Sequence, residues 1–331
     1  MKTKSILAMA MLGLALGVAV WSARGAATSA ARAAVYPDHP ITIVVTFPPG
    51  GGTDLLARKI GAALAEDIGQ PVVVENRPGA SGNIGARAVA QAAPDGYTLL
   101  MVNSSFAITP GVFSKLDFSP EQDFAAVINV AFVPSVIVTR ADAGFTDLPA
   151  VLARDPAGKT VPYASCGNGT PQHLAGEMLR LRSGAPLQQV PYKGCGPALT
   201  DVLSGHVPLG IVTASSAVPF IESGRLRALA VSSAERSLLL PEVPAVAEFD
   251  MAGYELNQWH GLLAPAGTPP EVIDRLNAAV AAIMARPGLR NHLLDLGFAP
   301  TASSAAEFDR LVRADIARFT ALTQSLGLRV D

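Results

Sequence analysis

The stretch FPPGGGTDLLARKIGAAL, Phe47 to Leu64, places two prolines and three consecutive glycines between two regular segments. The preceding run, Ile41 to Val45, is apolar and β-branched, which is typical of a buried strand. After the glycines, Leu56, Ile60 and Leu64 recur every four residues, which predicts a helix with one buried face. A strand, a glycine-rich turn and a helix in this order predict the first unit of an α/β sheet.

The same alternation of strand and helix continues along the chain. The predicted strands are short apolar runs: Ile41 to Val45, Val72 to Glu75, Thr98 to Val102, Val136 to Thr139, Val161 to Ala164, Gln188 to Tyr192, Val207 to Val212, Arg227 to Val231 and Leu262 to Ala264. The predicted helices are Thr53 to Ile68, Asn83 to Ala92, Thr170 to Arg182, Pro197 to Ser204, Ala217 to Ser223, Glu271 to Ala285, Leu289 to Leu296 and Ala305 to Ser325. This pattern predicts mostly parallel sheets that are covered by helices.

The order of these elements also predicts the domain organisation. Three helical segments follow Trp259 with one short strand among them, and a helical tail of that length packs back onto an earlier sheet. We therefore expect a discontinuous lobe I, residues 34–135 plus 257–331, with lobe II, residues 136–256, inserted into it. A length of about 300 residues after export agrees with two domains.

The N-terminus predicts export. Lys2 and Lys4 precede the apolar run Ile6 to Val20, and Ala31-Arg32-Ala33 has the small-residue spacing of a cleavage site, so residues 1–33 are interpreted as a signal peptide. A single N-terminal anchor helix is the alternative. Cleavage would change the formal charge from −2 to −6, which argues against nucleic acid and anionic membranes as partners.

The loop from Phe47 to Asp54 has the composition of an anion site without basic residues. Glycine lets backbone N–H groups point into one concavity, and the start of a helix adds unpaired N–H groups with partial positive charge. Three other loops have the same setting between a strand and a helix: VNSSFAITP (102–110), YASCGNGTPQHL (163–174) and VPYKGCGPAL (190–199). Ligands bind at the carboxyl ends of parallel strands, so two loops from each lobe are expected to face each other across a cleft.

Seven segments together carry a resemblance to a known family. They are YPDHPITIVVTFPPGGGTDLLARKI, VVVENRPGASGNIGA, APDGYTLL, YASCGNGTPQHLAGE, VPYKGCGPALTDVLSG, GRLRALAV and WHGLLAPAGTP. In this order they resemble the Bug-type solute-binding proteins, which are periplasmic receptors of tripartite tricarboxylate transporters. The match extends over essentially the whole chain after the signal peptide.

The resemblance implies a two-lobed, flytrap-like receptor without catalysis or cofactor, which binds a small organic carboxylate in the cleft between its lobes. Its partners would be the membrane components of a tripartite transporter and, in some systems, a sensor protein; we expect a monomer in the periplasm. Carried onto this chain, the ligand site consists of lobe I residues Phe47, Gly50, Gly51, Gly52, Thr53, Asp54, Ser104 and Ser105, and lobe II residues Ser165, Gly167, Asn168, Thr170, Tyr192, Lys193, Gly194 and Thr213. Asp54 is expected to brace its loop, and His173 to lie one helical turn behind the site.

The chain departs from the family at Val207 to Thr213. Many members have VDLMFDN where this chain has VPLGIVT, so Val212 and Thr213 replace an acidic residue and an asparagine that can reach the cleft. The loss of that acid argues against a ligand with an ammonium group. Phe47, Tyr192 and Val212 are expected to accommodate an apolar part of the ligand.

Cys166 and Cys195 lie in the two glycine-rich loops of lobe II and are the two cysteines of the sequence. In an oxidising compartment they can form a disulfide bond. Two buried thiols are an alternative. A third is a secreted hydrolase or acyl-transfer enzyme with Cys166 or Ser165 as nucleophile and His173 as base, although the sequence has no G-x-S-x-G elbow. The other histidines show no metal-ligand spacing, so no metal site is expected.

Overall fold

The computed structural model describes residues 36–153 and 159–329. The predicted signal peptide, residues 1–33, lies outside this range. The strands are β1 (Ile41–Val45), β2 (Val72–Asn76), β3 (Thr98–Asn103), β4 (Phe124–Arg140), β5 (Val161–Ser165), β6 (Leu187–Pro191), β7 (Leu209–Thr213), β8 (Leu226–Val231), β9 (Asn257–Pro265) and β10 (Ala299–Pro300). Each predicted strand is present, with its bounds shifted most at β4 and β9.

The helices cover both faces of this sheet. They are α1 (Gly52–Ile68), α2 (Asn83–Ala90), α3 (Ser105–Val112), α4 (Leu148–Leu152), α5 (Pro171–Ser183), α6 (Cys195–Leu203), α7 (Ala214–Glu222), α8 (Pro270–Met284), α9 (Pro287–Asp295) and α10 (Ala305–Ser325). The predictions did not include α3 and α4. Within the described range, no helix combines the length and the apolarity that a membrane crossing requires.

The sheet has the strand order β2-β1-β3-β9-β4-β7-β5-β6, with β8 and β10 also paired to β4. Strands β2, β1 and β3 are parallel in one lobe, and β6, β5 and β7 are parallel in the other. The predicted parallel sheet is therefore correct for three strands of each lobe. Strands β4, β8 and β9 add antiparallel pairs, so that the two-lobed α/β fold has a mixed sheet.

Strand β4 connects the two halves of the sheet. Its residues from Phe124 to Pro134 pair with β9, and those from Ser135 to Thr139 pair with β7. The sequence indicated a strand here only at Val136 to Thr139. The earlier half contains Asn129 and Pro134 and is largely buried without an alternating pattern, so it gives no period-2 signal. The lobe boundaries at 135/136 and 256/257 stay a prediction.

Helix α1 follows its sequence pattern closely. Leu56, Ile60 and Leu64 are completely buried, and burial of each contributes about 1.5–3 kcal/mol. The helix ends at Gly69, whose left-handed conformation (φ 67°) lets its N–H donate to Ala65 O. Packing of this face fixes the direction in which the N-terminus of α1 points.

Candidate functional site

The N-termini of four helices meet at one small cavity between the lobes. Gly51 caps α1, Gly194 caps α6, Thr213 caps α7, and Gln172 is the second residue of α5. The cavity has a volume of about 40 Å³ and is lined by Phe47, Pro48, Pro49, Gly51, Gly52, Thr53, Asn103, Cys166, Gln172, Gly194, Cys195, Gly196, Pro197 and Thr213. The four helices therefore direct the positive ends of their dipoles toward a shared space.

The electrostatics of this cavity favour an anion. Among the described residues that line it, none carries a carboxylate, an ammonium, a guanidinium or an imidazole. Helix N-termini offer backbone N–H groups that lack intrahelical partners. An anion placed here would be held by neutral donors and helix dipoles, as predicted for the loop Phe47 to Asp54.

Asp54 braces the loop of lobe I from behind. Its Oδ2 accepts from Gly50 N at 2.9 Å and from Arg58 Nε at 3.0 Å, and its Oδ1 accepts from Asn76 Nδ2 at 2.8 Å. Burial raises the pKa of Asp54, but the hydrogen bonds from Arg58, Gly50 and Asn76 outweigh burial, so the pKa lies below its ordinary value of 3.8. Asp54 is outside the cavity lining, and its carboxylate is used within the protein.

The serines predicted for lobe I lie at the edge of the site. Ser104 and Ser105 are 1% exposed, and neither hydroxyl has a hydrogen-bond partner among the described residues. Ser105 lines a second, very small cavity together with Phe47 and Asn103. Ser104 donates its backbone N–H to Trp259 O and lines neither cavity.

The disulfide bond between Cys166 and Cys195 is present, with a Cα–Cα distance of 4.4 Å. It joins the loop before α5 to the start of α6, and both sulfur-bearing residues line the cavity. Of the three alternatives for these cysteines, the bridge is confirmed. A bridged sulfur has no thiol to act as a nucleophile.

Three other polar residues of lobe II serve its loops internally. Ser165 Oγ accepts from Gln189 Nε2 at 2.7 Å, and Thr170 Oγ1 donates to Gly167 O at 2.7 Å. His173 Nδ1 accepts from Gly169 N at 3.2 Å. A nucleophile and its base require a hydrogen bond to each other, whereas Ser165 and His173 form these bonds to other groups.

A wider crevice of about 540 Å³ adjoins the small cavity and shares Phe47, Pro48, Cys166 and Gly194 with it. The predicted residues Gly167, Asn168, Tyr192 and Lys193 line this crevice. Tyr192 donates its hydroxyl to Asp201 at 2.6 Å; burial together with this carboxylate raises the pKa of Tyr192 to about 12. Lys193 supplies a cationic side chain at the mouth of the site.

The two lobes touch around this crevice. Ser81 Oγ donates to Asn168 O across the cleft. A Cβ on Gly194, whose φ is 120°, would lie 3.2 Å from Pro48 Cδ, so only glycine suits both the conformation and the contact. The conformation described here is therefore closed.

The structure corrects one expectation and adds residues that the sequence did not indicate. Val212 was expected to face the cleft, but its side chain is completely buried in the core, while Thr213, the next residue on the strand, faces the cavity. Gln172 and Gln258 form a buried amide pair beside Thr213. No sequence motif indicates these glutamines. Ser81 could have been found, because the glycine, proline and serine content of residues 76–83 predicts a turn after a strand.

Comparison with known proteins agrees with this geometry. Residues 56–328 match the sequence profile described as "Tripartite tricarboxylate transporter family receptor". The chain belongs to this receptor family. A protein of the tcbD–tcbE intergenic region of Pseudomonas sp. strain P51 is 40% identical over 300 residues, which are 90% of this chain and 87% of the relative. Protein BugT of Bordetella pertussis is 34% identical over 325 residues, 97% of this chain and all of BugT.

Solved structures of similar proteins share the fold. R. palustris Rpa4515, determined with adipate, is 34% identical with a TM-score of 0.85, and the match covers 89% of this chain and all of that chain. The periplasmic binding protein BugD is 32% identical with a TM-score of 0.83, covering 89% and 100%. MatC from Rhodopseudomonas palustris, determined with malate, is 30% identical with a TM-score of 0.82, covering 87% and 100%. The predicted resemblance to Bug-type receptors and the predicted two-lobed fold are thus confirmed.

Proposed function

We propose that this receptor captures a small organic carboxylate in the periplasm and delivers it to the membrane components of a tripartite transporter. The observation that carries the proposal is the convergence of four helix N-termini on a cavity whose described lining has no acidic side chain. The adipate and malate held by two similar receptors support the ligand class. Residues 1–33 would direct export and be removed, and the receptor would act as a monomer without catalysing a reaction.

In this proposal the cavity holds one carboxylate group and the wider crevice holds the rest of the ligand. Gly51, Gly52 and Thr53 contact the carboxylate from lobe I, and Gly194 and Thr213 contact it from lobe II. Tyr192 and Lys193 line the part of the crevice where a second polar group of the ligand would lie. Three or four charge-assisted hydrogen bonds, each contributing about 1.5–3 kcal/mol before ordering costs, agree with a dissociation constant of about 1 μM.

Gly51 offers a sharp test because it lines the cavity in a conformation that any residue can adopt, with φ −79°. Aspartate is a preferred helix N-cap, so Gly51→Asp should preserve the cap of α1 while placing a carboxylate where the ligand's own would bind. We expect this variant to lose carboxylate binding by more than about 100-fold, which corresponds to about 2.7 kcal/mol. Gly51→Asn is the matched control because it adds a side chain of the same shape without charge.

The measurement is isothermal titration of the mature protein with acetate, succinate, malate, adipate and citrate, with putrescine as a cationic comparison. Binding of at least one carboxylate to the wild type, retained better by Gly51→Asn than by Gly51→Asp, would support the proposal. It would be overturned by a wild type that binds none of these acids. Equal affinity of Gly51→Asp and the wild type would overturn the placement of the site.

A further inference from the structure

Thr213 has both acceptor positions of its hydroxyl occupied by amide donors. Thr213 Oγ1 accepts from Gln258 Nε2 at 3.0 Å and from Gln172 Nε2 at 3.2 Å. Gln172 Nε2 also lies 3.1 Å from Ser135 Oγ and 3.4 Å from Gln258 Oε1, so its two hydrogens are shared among three acceptors, and the contact with Gln258 orients the two amides relative to each other. A threonine hydroxyl has one hydrogen and two lone pairs. The hydroxyl can therefore form one further hydrogen bond, in which Thr213 donates its hydrogen.

The position of that hydrogen follows from the disulfide bond. Thr213 Oγ1 lies 3.4 Å from Cys195 Sγ. A bridged sulfur carries no hydrogen, so Thr213 is the donor in this contact and the sulfur is a weak acceptor. Both residues line the small cavity, so the hydrogen points to its wall. A carboxylate oxygen in the cavity is a much stronger acceptor than the sulfur and would take this hydrogen bond.

Thr53 is constrained in a similar way on the opposite lobe. Asn103 Oδ1 accepts from the backbone N–H of Ser105 at 3.0 Å, which fixes the orientation of the amide, since a backbone N–H can only donate. Asn103 Nδ2 is then directed to Thr53 Oγ1 at 3.3 Å. The Thr53 hydroxyl accepts from this amide and keeps its hydrogen for the cavity that it lines.

We propose that Gln172, Gln258 and Asn103 determine the ligand specificity of the site by holding two threonine hydroxyls as hydrogen-bond donors. The three amides are at most 8% exposed, and Gln172 and Asn103 also line the cavity beside the threonines that they orient. With backbone N–H groups and two oriented hydroxyls, the cavity presents donors from both lobes and accepts an ionised carboxylate. An ammonium group would instead meet two hydroxyls that are oriented as donors. This inference rests on the proposed carboxylate-binding function and assigns its selectivity to particular residues.

The first experiment removes the Thr213 donor. Thr213→Val has the shape of threonine without the hydroxyl, and Thr213→Ser keeps the hydroxyl. With the tightest-binding carboxylate among succinate, malate and adipate, we expect Thr213→Val to bind about 10- to 100-fold more weakly, and Thr213→Ser to stay within about threefold of the wild type. A purely structural role of Thr213 would give two variants with similar affinities.

The second experiment reverses the polarity of the hydroxyl. Gln258→Glu replaces the amide donor by a carboxylate, which would take the Thr213 hydrogen and turn a lone pair toward the cavity. We expect weaker binding of the dicarboxylate. We also compare its affinity with that of the analogue in which an ammonium replaces one carboxylate, and expect the ratio of the two affinities to fall by at least about tenfold. Gln188→Glu adds the same charge at an exposed position of lobe II and should leave both affinities unchanged.

The outcomes separate this inference from the proposed function. A wild type that binds none of the acids would contradict the proposed function itself. A wild type that binds, together with a folded Thr213→Val variant of unchanged affinity, would overturn the inference alone. Thermal unfolding of each variant without ligand checks folding, and the Thr213 pair still decides the question if Gln258→Glu does not fold.

Discussion

The two sides of the cleft hold similar glycine-rich loops by different means. In lobe I the loop from Phe47 to Asp54 is closed by hydrogen bonds that converge on the Asp54 carboxylate. In lobe II the loops that precede α5 and α6 are joined covalently between Cys166 and Cys195. Both arrangements fix backbone N–H groups before a ligand arrives, which reduces the ordering cost of binding.

The difference between the two braces lies in charge and in reversibility. The Asp54 brace places a negative charge near a site that is suited to anions, and Arg58, with Nη2 at 3.0 Å from Oδ1, compensates that charge. The disulfide adds no charge and does not depend on pH in the range where carboxylates titrate. We therefore expect lobe I to respond to acid and to charge substitutions, and lobe II to respond to reduction.

Removal of the disulfide should have the largest effect. The bridge closes a loop with a sequence separation of 29 residues, and the chain-entropy account of such a loop gives about 3–4 kcal/mol of stability. We expect Cys166→Ala combined with Cys195→Ala to lower the free energy of unfolding by about this amount in urea titrations. Dithiothreitol should lower the stability of the wild type to that of the double variant, since the sequence has no other cysteine. A loss below about 1 kcal/mol would mean that the loops of lobe II are held by their other contacts.

Removal of the Asp54 carboxylate should have the second largest effect. In Asp54→Ala the part-buried donors Gly50 N–H and Asn76 Nδ2 lose their hydrogen bonds to an ionised carboxylate, a kind of bond that contributes about 1.5–3 kcal/mol, and the loop loses its preorganised shape. We expect carboxylate binding to weaken about tenfold as well. The matched control is Asp67→Ala, in the last turn of the same helix, which removes a surface pair with Arg286 and should cost less than about 1 kcal/mol.

The two sides of the cleft also differ in how much of them the sequence predicted. The loop of lobe I follows from its own residues: glycines, a strand before it, and a helix whose apolar residues repeat every four positions. The disulfide needed the additional fact that two loops 29 residues apart are neighbours, which the sequence suggested only through their common strand–loop–helix plan. The sequence therefore left three alternatives for the cysteines, and the fold decided among them.

The parts that were not predicted depend on pairing over long distances. Gln258 reaches Thr213 because β9 and β7 both pair with β4, and no local pattern contains that information. The sequence prediction placed both Val212 and Thr213 at the cleft, although consecutive residues of a strand point to opposite faces, and Thr213 is the one that lines the cavity. Thr170 has the residue type of a ligand contact, but its hydroxyl donates to Gly167 O within the loop.

The pH dependence of stability provides the finest comparison, because a buried titratable group lies in or beside the loops on each side of the cleft, Asp54 in lobe I and His173 in lobe II. Burial lowers the pKa of His173 from 6.5, with Glu177 opposing, so the unfolded chain binds a proton below pH 6.5 while the folded chain does not. Stability therefore falls as the pH decreases from 6.5 through the lowered value, by at most about 1.4 kcal/mol per pH unit. The pKa of Asp54 is also lowered, so its contribution persists above its ordinary value of 3.8 and is lost below it.

Unfolding in urea at pH 7.5, 6.5, 5.5 and 4.5 should therefore separate the two sides. His173→Gln keeps an acceptor for Gly169 N–H and should show a smaller loss of stability between pH 6.5 and 5.5 than the wild type. Asp54→Asn should have the wild-type slope in that range. His260, which is completely buried and whose pKa burial lowers to about 3, contributes a slope in the same direction, so some loss persists in both variants. An unchanged slope in His173→Gln would show that the pH response arises away from the loop before α5, because no other titratable group touches Gly169 in the hydrogen bonds described.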